Sequence, residues 1–284
     1  MNSSPRHPIG VPSQLFAGSR GRVAEAYRRL GLTCVRLTPS FPGFRFHDPA
    51  HFTPERCRAV AQPFLAAGLS VACVSGSVNL MDPDPSRRQR GIQRLHAVLR
   101  HARDFATPFV VTETGSLSPD SPCEPYAPNG SPAAWTELRL IVSLAVEVAA
   151  DHGATLLLQA DPAHVLASAE AALRLADKVH NPHLGFVMDP ARFLMGYQPE
   201  EWAGEMERVF ERLGPLAPVA FAKDLCLDGE GVTMPRAGRG DLDYAQFLRL
   251  LGRYQPAAPI ILEHLRPEEA EAAQVYVEKF MNPD

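Results

Sequence analysis

The sequence predicts an α/β fold, a single (β/α)8 barrel spanning residues 1–284. Three observations carry that prediction. Strand-length apolar runs without a 3.6-residue rhythm alternate with longer helical stretches along the whole chain. There are eight such strand–helix units, and eight is the number that closes a parallel sheet with right-handed crossovers. Five runs in the second half also break off into a charged or amide residue: VVTETG at Glu113, LLLQAD at Gln159, LGFVMDP at Asp189, VAFAKDL at Lys223 and IILEHL at Glu263. Polar residues recurring at the C-terminal ends of parallel strands converge on one mouth, where such a barrel keeps its chemistry.

In chain order the strands are expected at Ile9–Ser13, Thr33–Thr38, Leu69–Ser75, Phe109–Thr114, Ala154–Gln159, Leu184–Asp189, Val219–Asp224 and Pro259–Glu263. The helices between them are expected at Arg20–Leu30, Pro54–Ala67, Pro85–Phe105, Pro132–His152, Ala163–Val179, Pro199–Leu213, Asp243–Tyr254 and Pro267–Phe280. Proline opens several of these helices, where its missing N–H has no intrahelical partner to lose. Glycine precedes several strands, as in LGL at 30–32, AGL at 67–69 and HGA at 152–154, which suits a left-handed helix cap. Two loops after strand ends are long and rich in proline and aromatics: 39–53 and 116–131. Their Phe41, Phe44, Phe46 and Tyr126, with Trp135 just beyond, are expected to wall a substrate site.

Composition narrows the function. Apolar residues make up 45% and charged residues 21%, as in a water-exposed globular protein, and a net charge of −4 offers no general attraction to nucleic acid. Nowhere do 18 apolar residues run together, and the N-terminal segment lacks a signal-like apolar stretch, so no membrane partner is expected. The five cysteines are scattered and never spaced C-x-x-C, which argues against disulfides and zinc clusters and for a reducing, cytoplasmic compartment. No glycine-rich phosphate loop follows the first strand, so no nucleotide cofactor is expected.

Strand alternation then sorts inward from outward side chains. Val111 with Glu113, Thr155 and Leu157 with Gln159, Gly185 and Val187 with Asp189, Phe221 with Lys223, and Ile261 with Glu263 form the inward sets. Each is an apolar column topped by a polar group. Several charges around one mouth need a counter-ion or mutual pairing. A divalent cation, manganese or magnesium, suits hard oxygen ligands. The alternative pairs Lys223 with one carboxylate and Arg192 with another, without metal.

The segments GFVMDPARF, FAKD, GRGDLDY and IILEHL, in this strand order, resemble the xylose isomerase-like TIM barrels of the sugar phosphate isomerase/epimerase superfamily. That group holds ketose epimerases, inosose dehydratases, hydroxypyruvate isomerases and, more distantly, endonuclease IV. The resemblance is strongest over residues 109–280 and implies one divalent metal held by a Glu, an Asp, a His and a Glu on successive strands. Two of those acids also move protons at the substrate carbon. Here the Asp is Asp189 and the last Glu is Glu263, but the first Glu is Gln159 and the His of the usual H-x-K-D strand is Phe221, while its Lys223 and Asp224 remain. A further histidine, three residues after the Asp, is Arg192. Asp189, Glu263 and Gln159 are thus the metal candidates, with affinity lowered by these departures.

Because Gln159 takes no proton, the two-carboxylate reaction is disfavoured and a one-base version is expected. Glu263 or Glu113 would abstract the proton while Lys223 or Arg192 stabilises the enolate oxygen. Arg192, Arg239, Tyr126 and Trp135 are candidate contacts to a small-molecule substrate. Arg192 has a second reading, in which its guanidinium fills the metal position. Lys223 has one as the structural ion-pair partner of Asp224 or a neighbouring acid. His264 is expected to face away from the interior, and His47, His51, His164 and His183 to lie at the surface or in caps. The resemblance further implies a homodimer or homotetramer. The function expected is proton transfer beside a carbonyl of a small sugar, keto-sugar or polyol derivative. A dehydratase on a related polyol and a non-catalytic metabolite-binding barrel stand as the alternatives. An abasic-site nuclease is not, since its multi-zinc chemistry needs histidines this pattern lacks.

Overall fold

A computed structural model describes residues 7–228 and 231–281. Eight parallel strands close into a barrel: β1 (Ile9–Pro12), β2 (Cys34–Leu37), β3 (Ser70–Ser75), β4 (Phe109–Glu113), β5 (Thr155–Gln159), β6 (Leu184–Met188), β7 (Val219–Ala222) and β10 (Ile260–Leu262). Each lies within an expected strand, trimmed by one or two residues at the ends. The residues trimmed at the C-terminal ends are polar. A short antiparallel hairpin, β8 (Cys226–Asp228) and β9 (Gly231–Thr233), interrupts the β7-to-helix connection and was not expected.

Around the barrel run α1 (Arg20–Arg29), α2 (Pro54–Ala66), α3 (Pro85–Arg100), α4 (Pro132–Asp151), α5 (Ala169–Val179), α7 (Trp202–Leu213), α8 (Tyr244–Tyr254) and α9 (Ala270–Glu278). Their starts follow capping chemistry. Thr53, Asp84, Ser131, Ser168 and Asp243 each accept an N–H from the first turn, and α2, α3 and α4 begin with proline. A short helix, α6 (Pro190–Leu194), follows β6 directly, with Asp189 as its cap.

Two apolar layers result. Inside the barrel, Val111, Leu157, Val187, Phe221 and Ile261 pack together with Cys34, Cys73 and Val219. Their neighbours in sequence, such as Val110, Leu156, Phe186, Ala220 and Ile260, join the larger layer between sheet and helices. Strand alternation therefore sorts the inward set as expected.

The long loop 39–53 does something different from walling a site. Phe41, Phe44 and Phe46 are buried in the outer layer. Phe44 meets Phe52 at 5.1 Å and Phe105 at 6.1 Å between ring centroids, and Phe41 meets Phe64 at 6.1 Å. Packing onto the α2 side removes more apolar surface from water than covering an open mouth would. No helix among the described residues is long and apolar enough to cross a membrane.

Candidate active site

The strand-end side chains converge as expected, and two of them form a tight cluster with Lys223. Lys223 has its ammonium at 2.5 Å from Asp189 Oδ2 and 3.0 Å from Glu263 Oε2. Its side chain is fully buried. Gln159 Nε2 donates to the same Asp189 oxygen at 2.8 Å. The other Glu263 oxygen accepts from Arg36, a residue of β2 that strand-end reasoning missed. Arg36 was findable: it is a cation inside an apolar strand, with the same inward parity as Cys34. Its guanidinium lies over the Phe221 ring at 4.9 Å from the centroid. The ring that replaces the family's imidazole thus supports a cation instead of a metal.

The electrostatics of the two acids diverge. Burial pushes Asp189 above its usual carboxylate value, only partly offset by Lys223. For Glu263 burial acts upward too, but Lys223 and Arg36 together outweigh it and hold the carboxyl below its ordinary value. Removal from water raises a carboxylate's pKa, while cations at contact distance lower it, and Glu263 has two such cations.

Above this cluster opens a cavity of about 390 Å³, within the range of small-molecule sites. Its polar walls are Gln14, Arg36, Glu113, Gln159, Arg192, Glu263 and His264. Glu113 ends β4, four positions round the ring of eight from β10, so it faces Glu263 across the mouth. Among the described residues its carboxylate makes no hydrogen bond or ion pair. The loop behind it is firmly placed: Asn79 Oδ1 accepts the N–H of Ser116 at 3.0 Å, and Asn79 Nδ2 donates to Ser116 O at 3.0 Å. Gly115 takes φ +76° there, and a Cβ at that position would overlap Asn79.

Several expectations are corrected. Arg192 does not fill the metal position. Its guanidinium pairs with Asp161, two residues beyond Gln159, while its backbone N–H weakly caps onto Asp189 at 3.4 Å. Lys223 does not pair with Asp224, whose carboxylate accepts the N–H groups of Leu225, Gly238, Arg239 and Leu242 at 2.9–3.2 Å. Lys223 and Asp189 are both buried and neither is among the residues that line the cavity. Tyr126, Trp135 and Arg239 lie outside the cavity wall. Trp135 instead carries the Arg174 guanidinium on its ring at 3.5 Å, and Arg239 is exposed. His51 and His164 are buried, not superficial. His264 is exposed and lines the cavity, with φ +54° just past the end of β10, where strand alternation no longer holds. Its Nδ1 contacts Met234 O at 2.7 Å, and partial desolvation together with the Lys223 cation holds the ring below its ordinary value.

The donor set does not fit a divalent metal. Among the described residues no three His, Cys, Asp or Glu side chains converge as a ligand group. Asp189 and Glu263 are already committed to Lys223, and Phe221 offers no donor.

Comparison with known proteins agrees with this architecture. The profile of the xylose isomerase-like TIM barrel family matches residues 24–280. No curated protein matches the chain in sequence. A xylose isomerase domain protein from Planctomyces limnophilus superposes with a TM-score of 0.72 at 17% identity, covering 98% of this chain and 97% of that one. A xylose isomerase-like TIM barrel protein from Mycobacterium smegmatis, solved in complex with magnesium, gives 0.74 at 15% identity over 99% and 97%. The 3-keto-D-glucoside 4-epimerase of E. coli gives 0.70 at 16% identity over 96% and 100%. At these identities the solved structures attest the fold. The chain belongs to the xylose isomerase-like TIM barrel family.

Proposed function

We propose that this member of the family is an isomerase acting on a small keto-sugar or polyol derivative by proton transfer beside a carbonyl, with Glu113 as its single base. The observation that carries this reading is the Glu113 carboxylate in the cavity wall, which makes no hydrogen bond or ion pair among the described residues and has the buried His164 as its electrostatic neighbour, opposite a Glu263 held by two cations. A base must be free to accept a proton. Glu263 is a poor one, because Lys223 and Arg36 favour its ionised form and hold its pKa down. It is equally poor as the opposite-face acid that epimerisation through two carboxyls would require.

In this reading Glu113 takes the proton from the carbon next to the carbonyl. The electron pair moves to the carbonyl oxygen, giving an enediolate. Arg192 and Arg36, both in the cavity wall, supply cationic donors for that oxygen. The proton of the neighbouring hydroxyl then passes to the former carbonyl oxygen, the electron pair it leaves forms the new carbonyl, and Glu113 returns its proton to the former carbonyl carbon on the same face, exchanging ketone and aldehyde positions. The keto-sugar substrate named for the E. coli structure supports the substrate class by fold likeness alone.

The test is incubation with a panel of keto-sugars and aldoses in D2O, followed by NMR. The expected result is an isomerised product carrying deuterium next to its carbonyl, by partial exchange at the Glu113 carboxyl. A panel that shows neither isomer nor deuterium uptake sinks the reading.

A further inference from the structure

We infer that the Lys223 ammonium is this site's resident cation, seated between Asp189 and Glu263 in place of a divalent metal, so that the protein is built to be metal-independent. The inference concerns what occupies the site and holds whichever reaction the cavity supports.

Charge balance is the first argument. Asp189 and Glu263 face Lys223 and Arg36, with neutral Gln159 completing the group. Both carboxylates ionised and both cations present leave the cluster neutral. A dication added to it would bring uncompensated positive charge into a buried place, a severe cost where solvent cannot screen it. The same site with a glutamate at 159 would have one more negative charge to offer.

Geometry is the second. A metal between Asp189 and Glu263 would need the very oxygens at 2.5 Å and 3.0 Å from Lys223 Nζ. It would have to expel an ammonium whose side chain is fully buried. The departures from the family pattern are also mutually consistent. Phe221 removes a ligand and supplies the ring face on which Arg36 rests. Gln159 removes a charge and donates an N–H to Asp189 where a carboxylate would repel it.

Residue choice is the third. The chain has only three lysines, Lys178, Lys223 and Lys279, among 28 cationic residues. The other two lysines are exposed, and only Lys223 is buried. Guanidinium is the chain's default cation. Lys223 keeps the lysine of the H-x-K-D strand that the resemblance implies, and here its compact ammonium, a near-spherical charge with three donors, meets carboxylates from two other strands.

The test uses chelator-treated, dialysed full-length protein titrated with Mn2+, free manganese being followed by its electron paramagnetic resonance signal. Wild type should leave that signal undiminished, whereas Lys223→Met, with two carboxylates released, should bind Mn2+ about tenfold or more tightly than wild type. One equivalent of Mn2+ held by wild type overturns the inference. So does a folded Lys223→Met protein that gains no affinity, since the missing donors alone would then explain the lack of metal. If that variant does not fold, the lysine resonance decides. With 15N-lysine labelling, the buried ammonium should give one protected Nζ resonance distinct from those of Lys178 and Lys279. Persistence of that resonance with Mn2+ present supports the inference, and its selective broadening by stoichiometric Mn2+ overturns it. None of these readouts depends on turnover, so failure of the isomerase reading and failure of this inference are separable.

Discussion

Two arcs of the barrel mouth hold acids at equivalent strand ends and use them in opposite ways. On the arc formed by β5, β6, β7 and β10, every polar side chain is spoken for: Gln159, Asp189, Lys223 and Glu263 form one linked group that Arg36 closes from β2. Next to that arc, β4 pairs with β5 and presents Glu113 to the cavity without a hydrogen bond or ion pair among the described residues. A strand-end acid is therefore not chemistry by itself. Pairing turns the first arc into a charge scaffold, and its absence leaves the second with a group able to take up a proton.

The sharpest break of that contrast is Glu113→Gln. It should lower turnover by about 10²–10⁴-fold, the usual worth of a positioned base, while shifting stability by no more than ~0.5 kcal/mol. Steady-state kinetics beside a denaturant titration reads both, and unchanged turnover would erase the distinction between the arcs. Next is Lys223→Met, which strands two buried carboxylates. A loss of ~3–5 kcal/mol is expected from chemical denaturation, and a loss near zero would show that the cluster is not a scaffold.

A smaller effect appears with pH. Glu263 has a folded-state pKa below its unfolded one, so its contribution is present above the unfolded value and is lost as pH falls through the folded one. The stability gap between wild type and Glu263→Gln should accordingly close on acidification, by ~1 kcal/mol for each unit of depression. Asp189, raised by burial, works in the reverse sense: its contribution is present below the unfolded value and fades as pH rises through the folded one. A gap that widens in acid contradicts this assignment. Smallest is Arg239→Ala. With its side chain exposed and outside the cavity, turnover should hold and stability should change by under ~0.5 kcal/mol.

How much of this was legible in the sequence follows from which rules are local. Strand parity needs only neighbouring residues, so the barrel interior and the converging acids could be read directly. Partners across the barrel could not. Glu263 meets Arg36 across 227 positions of chain, and Arg192 meets Asp161 across 31. His264 was misplaced because alternation holds only while φ stays extended, and at +54° it does not. The phenylalanines of loop 39–53 were misjudged because nothing local shows that helices α2 and α3 leave an apolar surface for them. Lys223 and Asp224, adjacent in sequence, invited a pairing that the backbone forbids by sending them to opposite sides of the strand.

Asp224 has a consequence of its own. Its backbone N–H donates to Pro235 O at 2.8 Å, and its carboxylate gathers amides from Leu225, Gly238, Arg239 and Leu242. The β8–β9 excursion is thus stapled shut at its root, immediately beyond Lys223. One carboxylate thus ties together the points where the chain leaves and rejoins the rim, while Met234, just past β9, reaches His264 of the cavity wall, so a change made on β8 or β9 meets the site through that single carbonyl.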